Sequence, residues 1–482
     1  MRRHASSSAD LLPVVILAAG EGTRLGSNMP KPLVPLLGQT LIERILRGCA
    51  AAGMRQFLVV VGHGQKEIRA HLGILAERLG VSVTCLHAED WALGNGASTR
   101  TAASQIGNRR FFLVMADHLF DPEILKKLLL DPPGSDEVCV AIDYDRHRIF
   151  DSDDATKVSC SNGRLTAIGK DLDEWDGIDT GVFLCSPALF RALERAQDAG
   201  QYSLSHGIAE LVSHGLVRAV DVGGCRWLDI DTPEALAEAE RWLLTSLHKG
   251  SQDGFVSRWI NRPLSTRLSK HLVQTQITSN QITVISFLIS LLGAAFLFLG
   301  TYGAGVLGGV LIQAGSVLDG CDGEVARLRG TATPRGGWLD TMLDRYADLA
   351  ITVAIVAAYA RQFPGSLPWI TGMIAATGFI LVSYITKEFT LRHHTDYPHD
   401  FLDRIKHRDL RMLSLAAGAV VGFAFEALMV VGVLSHAVVA GIMVRGWHLS
   451  SIPTGAPDEA KTGHRYARVV SAEDSLIARG KR

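Results

Sequence analysis

Four aspartates, Asp319, Asp322, Asp340 and Asp344, fall in the most apolar third of the chain. The first two belong to the run Asp319-Gly320-Cys321-Asp322-Gly323-Glu324-Val325-Ala326-Arg327; eight residues later come Gly336 and then the second two. A carboxylate at bilayer depth costs roughly 2.5–3.5 kcal/mol, so four together need a strong counter-charge. Asp319 and Asp322 are at i, i+3 and Asp340 and Asp344 at i, i+4, so on two adjacent helices each pair would project toward the other. A divalent cation is the natural counter-charge, because hard carboxylate oxygens suit Mg2+ or Mn2+. Gly323, Ala326 and Gly336 remove side-chain bulk where a nucleotide could approach the helix backbones.

A second set of chemistry-bearing residues opens the chain. Val14-Val15-Ile16-Leu17-Ala18-Ala19-Gly20-Glu21-Gly22-Thr23-Arg24-Leu25 reads as a strand running into a Gly-rich turn, with Pro30-Lys31-Pro32-Leu33 downstream. Such a turn exposes backbone N–H groups to phosphates, and Arg24 and Lys31 add fixed positive charge suited to a triphosphate. Further on, Met115-Ala116-Asp117-His118 follows an apolar strand and sets Asp117 at a strand C-terminus, where open sheets bind ligands. In Trp227-Leu228-Asp229-Ile230-Asp231-Thr232-Pro233 two aspartates alternate along an extended segment, so they are not both expected to face a site there. Asp229 is favoured; an N-cap role is the competing use of either.

The spacing D-x2-D-G-x2-A-R-x8-G-x3-D-x3-D resembles, at every specified position, the motif of the CDP-alcohol phosphatidyltransferase family. That resemblance implies transfer of a phosphoalcohol from a CDP-alcohol to a second alcohol, with release of CMP. It implies that Asp319, Asp322 and Asp340 hold the metals that bridge the CDP pyrophosphate. Asp344, counted with them as a ligand, would deprotonate the attacking hydroxyl. Gly323, Ala326, Arg327 and Gly336 would lie against the nucleotide.

The run L-A-A-G-x-G-T-R-L with P-K-x-L resembles the sugar-phosphate nucleotidyltransferase family. By that resemblance Leu17, Ala18, Ala19, Gly20, Gly22 and Thr23 form the nucleotide loop, and Arg24 and Lys31 are catalytic cations. Asn95 and Gly96 of Gly94-Asn95-Gly96-Ala97-Ser98 would contact base and ribose. Asp117 would hold Mg2+ with Asp229 or Asp231. Lys170 and the segment Asp179-Thr180-Gly181 would contact the sugar phosphate. The implied chemistry is in-line attack of a sugar phosphate on the α-phosphate of a nucleoside triphosphate, with no covalent nucleophile.

The elements needed to position these groups divide the chain in two. With 482 residues, two or three domains are expected. A net charge of −1 suggests no nucleic-acid partner, and seven scattered cysteines without C-x2-C pairs argue for a reducing compartment. Residues 1–11 are expected to be flexible, and lacking an apolar run they are not expected to act as a signal peptide. Residues 12–245 read as α/β: β-rich runs at 14–18, 57–61, 111–115 and 138–142 alternate with helical patterns at 41–52 and 65–79, predicting a Rossmann-like, mostly parallel sheet with helices on both faces. Residues 246–279 are polar and basic, with Arg258, Arg262, Arg267 and Lys270 among Trp259, Ile260, Leu264, Leu268 and Leu272, a pattern suited to an interfacial amphipathic helix.

From 280 to 445 the composition predicts an all-α domain of six membrane helices, near 280–300, 303–326, 337–360, 367–386, 410–424 and 426–444. Basic residues crowd the alternate loops, which predicts a multi-pass protein of the cell inner membrane with both termini and both active sites on the cytoplasmic side. The tail from 446 to 482 reads as polar and disordered.

One half makes an activated phosphoalcohol and the other consumes one, so the shared intermediate is expected to be a CDP-alcohol. The fusion resembles the bifunctional inositol-1-phosphate cytidylyltransferase/di-myo-inositol-phosphate-phosphate synthase family over about 15–445. That resemblance implies CTP and inositol 1-phosphate as substrates and CDP-inositol as intermediate. It further implies a second inositol phosphate as acceptor, Mg2+ or Mn2+ at both sites, and a homodimer formed through the membrane domain. With 20% charged residues the chain lacks a thermophile's composition. A lipid hydroxyl therefore stands as an alternative acceptor, and phosphocholine as an alternative alcohol phosphate. A reading of another class makes the first half a non-catalytic nucleotide sensor; the intact Arg24, Lys31 and Asp117 oppose it.

Overall fold

A computed structural model describes residues 12–148, 150, 154–247, 254–394, 397 and 401–450. The expected flexible N-terminus (1–11), part of the expected linker (248–253) and the polar tail beyond Ser450 lie outside the described residues. The chain forms two compact units. One gathers residues up to 249 with 265–279 and 321–337; the other holds 250–264, 280–320 and residues from 338 onward.

The first unit is built on thirteen strands. They are β1 (Val14–Ala18), β2 (Pro35–Leu36), β3 (Gln39–Thr40), β4 (Gln56–Val61), β5 (Ser82–His87), β6 (Phe111–Met115), β7 (His118–Phe120), β8 (Val138–Asp143), β9 (Lys157–Ser161), β10 (Arg164–Gly169), β11 (Gly177–Cys185), β12 (Val217–Asp221) and β13 (Trp227–Asp229). Nine of them form the main sheet, in the order β5-β4-β1-β6-β11-β8-β12-β10-β9. Every residue of β1 is buried: Val14, Ile16 and Ala18 pack into the core on one face, Val15 and Leu17 into the core on the other. A strand covered on both faces must be apolar at every position, which is why these runs do not alternate.

The sheet is mixed, which corrects the mostly parallel expectation. β5, β4, β1 and β6 run parallel, but β11 enters between β6 and β8 antiparallel to both, and β9 and β10 extend the sheet antiparallel. The chain returns through β9 and β10 before the long β11, and that return reverses its direction.

Eight helices follow local signals: α1 (Leu41–Ala51), α2 (Gln65–Leu79), α3 (Asn95–Arg100), α4 (Ala103–Ile106), α5 (Glu123–Leu130), α6 (Ala188–Asp198), α7 (Leu204–Ser213) and α8 (Pro233–Ser246). Thr40 Oγ1 accepts from the Glu43 N–H at 3.2 Å and starts α1; α2 lies between Gly64 and Gly80, both left-handed; α8 combines Thr232 as N-cap with Pro233 at its first position.

Among the described residues, eight helices come from the second half of the chain: α9 (Arg262–Leu272), preceded by a π turn at Ser257–Asn261, then α10 (Ser279–Phe298), α11 (Tyr302–Leu328), α12 (Pro334–Gln362), α13 (Leu367–His393), the short α14 (Phe401–Lys406), α15 (Arg408–Val420) and α16 (Ala424–Ser450), of which α14 is the extra turn not foreseen.

Helices form at all six expected spans, but among the described residues four are long and apolar enough to cross a membrane: α10, α11, α13 and α16. α12 has 29 residues but carries Asp340, Asp344, Arg345 and Asp348, and α15 has only 13 residues. α16 continues to Ser450 instead of giving way to a polar tail near 446. The stretch from the π turn through α9 is amphipathic in an inverted sense. Ser257, Asn261, Ser265 and Ser269 are buried at four-residue intervals, while Phe255, Trp259, Leu264 and Leu268 are exposed.

Candidate active sites

The first site forms where β1, β6, β11 and β13 end. A cleft of about 910 Å³ is lined by Leu17, Ala19, Gly20, Asn95, Asp117, Lys170, Asp179, Gly181, Asp229 and Asp231 among others. A smaller cavity of about 290 Å³ is lined by Ala18, Gly22, Thr23, Arg24, Lys31, Asp117 and Asp231. Gly22 holds φ at +67°, and a Cβ there would stand 2.5 Å from Lys31 Cβ. Only glycine lets the buried Lys31 run beneath the loop.

β7 pairs antiparallel with β13, with His118 opposite Asp229, and that ladder brings Asp229 to Asp117. Asp117, His118 and Asp229 offer ligand atoms within 4.8 Å of one another, an arrangement that could hold a metal ion. Asp229 Oδ1 is buried without a hydrogen-bond partner among the described residues, the mark of an acceptor awaiting a cation. Asp231, the other expected ligand, is instead paired with Lys31 and Arg24.

The site is a strip of alternating charge. Lys170 pairs with Asp154 at 2.6 Å and Asp154 with Arg24 at 2.5 Å; Arg24 and Lys31 share Asp231; Lys31 reaches Asp117 at 2.6 Å; His118 Nδ1 donates to Asp117 at 2.8 Å and lies 3.7 Å from Asp229. The titrations follow from it. Burial favours neutral imidazole, but Asp229 and the hydrogen bond to Asp117 outweigh it and hold His118 at about 9. Burial would raise Asp117, yet Lys31 and His118 hold it well below the usual carboxylate range. Burial, with Asp117 and Asp231 adding to it against the pull of His118, raises Asp229.

Two expected contacts do not reach the cleft. Thr180 is fully buried and donates to the Ala141 carbonyl at 3.0 Å, because alternate residues of β11 face opposite sides. Gly96 is packed against the backbone of Tyr202 and Ser203. Asn95 lines the cleft, but its side-chain oxygen accepts the Leu204 N–H at 2.8 Å. Asp154, Trp91 and His206 also line the cleft and carried no motif that would single them out. Gly181 has φ +74°, and a Cβ on it would lie 2.5 Å from His118 Cδ2. Gly181→Ala is expected to lower stability by about 1–3 kcal/mol and to displace His118, measured by thermal unfolding together with the rate of pyrophosphate release.

The second site lies among the helices. Asp319 on α11 and Asp340 and Asp344 on α12 offer carboxylate oxygens within 4.8 Å of one another, again an arrangement that could hold a metal ion. Asp322 lies three residues along α11 and is not in that group; its Oδ1 accepts the Gly323 N–H. Ala326 is buried, Arg327 is exposed with its guanidinium beside Gly323, and the Gly336 N–H donates to Thr333 Oγ1 at 3.1 Å at the start of α12. Arg408, read from the sequence as one more loop charge, is brought into this site. It contacts Asp344 at 2.7 Å, Asp319 at 3.4 Å and the buried Asp348 at 2.9 Å.

Residues 14–219 match the family described as the MobA-like NTP transferase domain, and residues 276–449 match the CDP-alcohol phosphatidyltransferase family. A nucleotidyltransferase and a CDP-alcohol phosphotransferase are thus joined in one chain. The chain is 36% identical over 428 residues to the bifunctional IPC transferase and DIPP synthase of Rubrobacter xylanophilus, covering 88% of this chain and 93% of that one. It is 34% identical over 379 residues to the protein of the same name from Aquifex aeolicus, covering 78% and 83%. The chain belongs to the bifunctional IPC transferase and DIPP synthase family. Among solved structures, the inositol-1-phosphate CTP transferase from T. maritima is similar at a TM-score of 0.43 and 24% identity, covering 47% of this chain and 96% of that one.

Proposed function

We propose that this chain makes CDP-inositol from CTP and inositol 1-phosphate and then transfers phosphoinositol to the hydroxyl of a second inositol phosphate, releasing CMP. The observation that carries the reading is the presence in one chain of two groups that could hold a metal ion, Asp117/His118/Asp229 and Asp319/Asp340/Asp344. The first belongs to a unit that matches an NTP transferase, the second to helices that match a CDP-alcohol phosphatidyltransferase.

In the first reaction a phosphate oxygen of inositol 1-phosphate attacks the α-phosphorus of CTP in line, and pyrophosphate leaves. Arg24 and Lys31 exchange their carboxylate partners for triphosphate oxygens and carry the charge that develops on the leaving group. Lys170, Asp179 and Gly181 line the cleft and would contact the sugar phosphate. Asp117 and Asp229 would hold Mg2+ there; Asp319, Asp322 and Asp340 would hold Mg2+ or Mn2+ in the second site. A cation so bound neutralises phosphate charge and orients the reacting oxygens. In the second reaction the acceptor hydroxyl attacks the inositol-bearing phosphorus and CMP leaves, with Asp344 taking the hydroxyl proton.

The finer membrane reading is six spans, with α12 and α15 completing the bundle, a homodimer through these helices and both sites cytoplasmic. Large apolar side chains that water would leave unsupported favour a lipid environment: Leu288 and Leu292 on α10, Met373 and Ile380 on α13, Val433 and Met443 on α16 are all exposed. The low charged fraction of 20% favours a lipid hydroxyl as the second reading of the acceptor.

Purified protein supplied with CTP, Mg2+ and a panel of alcohol phosphates, with and without lipid, decides both points by product analysis. Inositol 1-phosphate is expected to yield CDP-inositol and then a di-inositol product; activation of phosphocholine alone would overturn the reading. Because the second site consumes a CDP-alcohol, CTP should be used about tenfold or more better than UTP or GTP, read from pyrophosphate release. Equal use of UTP would break the coupling.

A further inference from the structure

Glu324 lies inside the aspartate motif at a position that the motif leaves open, and it is fully buried. Ser265 Oγ donates to its Oε1 and Ser269 Oγ to its Oε2, each at 2.7 Å, and both serines are themselves buried. One turn before Ser265, Asn261 donates to Ser316 Oγ at 3.3 Å and accepts from Gln313 Nε2 at 2.8 Å. The Cys321 thiol reaches the Ser265 carbonyl at 3.5 Å. Small polar residues at four-residue intervals thus meet polar residues of α11 at Gln313, Ser316 and Glu324.

A helix turns about 100° per residue, so Gln313, Ser316 and Glu324 fall on one side of α11, with Asp319 about 60° beyond Ser316 and Asp322 roughly opposite. A hydrophobic contact tolerates a small roll of one helix on another. Two directional hydrogen bonds to the two oxygens of one carboxylate do not. We infer that Glu324, gripped by Ser265 and Ser269, is a positioning residue for phosphoalcohol transfer: it fixes the roll of α11 and so aims Asp319 at the carboxylates of Asp340 and Asp344. The inference rests on the CDP-alcohol transfer reading for its function, but the aiming itself is measurable without turnover. It also accounts for the inverted face of α9, whose serines are needed inward.

The test uses the full chain in detergent. In an Asp117→Ala background, which removes the first carboxylate group, Mn2+ binding is followed by electron paramagnetic resonance. Ser265→Ala/Ser269→Ala is expected to weaken Mn2+ binding about 10–100-fold, as loss of groups that orient metal ligands does. Glu324→Gln, which keeps the shape and one acceptor oxygen, should weaken it less. With Asp117 intact, the serine double variant should release pyrophosphate from CTP at the parent rate, and its transfer from supplied CDP-inositol should recover at raised Mn2+. Mn2+ affinity within twofold of the parent overturns the inference. So does a joint fall of both activities and of thermal stability without metal rescue, which would mark a packing role. If the parent protein itself turns over no CDP-inositol, the transfer reading fails, and Mn2+ binding still decides the role of Glu324.

Discussion

Asp344→Asn is expected to lower phosphoinositol transfer by roughly 10²–10⁴-fold, the loss that follows if Asp344 is the general base, with CDP-inositol affinity in the presence of Mg2+ close to that of the parent. The carboxylate count of the motif gives the reason why the two effects should separate. Asp319, Asp340 and Asp344 converge, and with Asp322 the motif supplies four carboxylates. Three of them would suffice to hold the cations, which would leave one to accept a proton. Asparagine keeps the size and one ligand oxygen of Asp344 but cannot take up the hydroxyl proton. Arg408, whose Nη1 lies 2.7 Å from Asp344, retains Asp348 at 2.9 Å, so the substitution does not strand a buried cation. Asp322→Asn should behave differently, weakening metal and nucleotide binding together. Transfer rates and nucleotide affinities of both variants over a range of metal concentrations make the comparison. Rescue of Asp344→Asn by excess metal would make Asp344 a ligand only.

Asp117→Ala is expected to abolish pyrophosphate release from CTP while added CDP-inositol is still consumed. Asp117 is the centre of its site: it faces Lys31 at 2.6 Å and His118 at 2.8 Å, and it belongs to the group that could hold metal. Its removal would take a candidate ligand away and leave two neighbouring cations with one partner fewer, so the triphosphate would be held by charge in the wrong register. The second reaction depends on a separate set of carboxylates and should proceed. A folded Asp117→Ala protein that also fails to use supplied CDP-inositol would sink the reading of two independent sites.

The parts that were legible in the sequence are those governed by local pattern. The runs at 14–18, 57–61, 111–115 and 138–142 became β1, β4, β6 and β8, because β-rich apolar stretches buried on both faces carry their own signal. The pair Asp340 and Asp344 was legible because a helix places i and i+4 on one side; the i, i+3 pairing did not bring Asp322 into the group with Asp319. The remainder depended on distant pairing. Nothing near β11 tells that it inserts antiparallel between β6 and β8, and that insertion decides that Thr180 points inward while Asp179 and Gly181 line the cleft. The choice of Asp229 for the metal group over Asp231 follows from the register of β13 with β7. Asp154 lies in a segment without periodicity, and Arg408 among basic residues that compositional reading assigns to a loop. In helical counts α12 read as a span; its charged first half sets it apart from α10, α11, α13 and α16.

The strip that runs from Lys170 through Asp154, Arg24, Asp231, Lys31, Asp117 and His118 to Asp229 bears on how the first enzyme lets go of what it makes. A cleft lined by bare cations would retain pyrophosphate, and the off-step would govern turnover. Here every cation that a departing anion abandons has a carboxylate of the protein within reach to replace it. Ejection of pyrophosphate becomes an exchange of partners, and the cleft returns to electroneutrality without drawing phosphate from the surrounding solution.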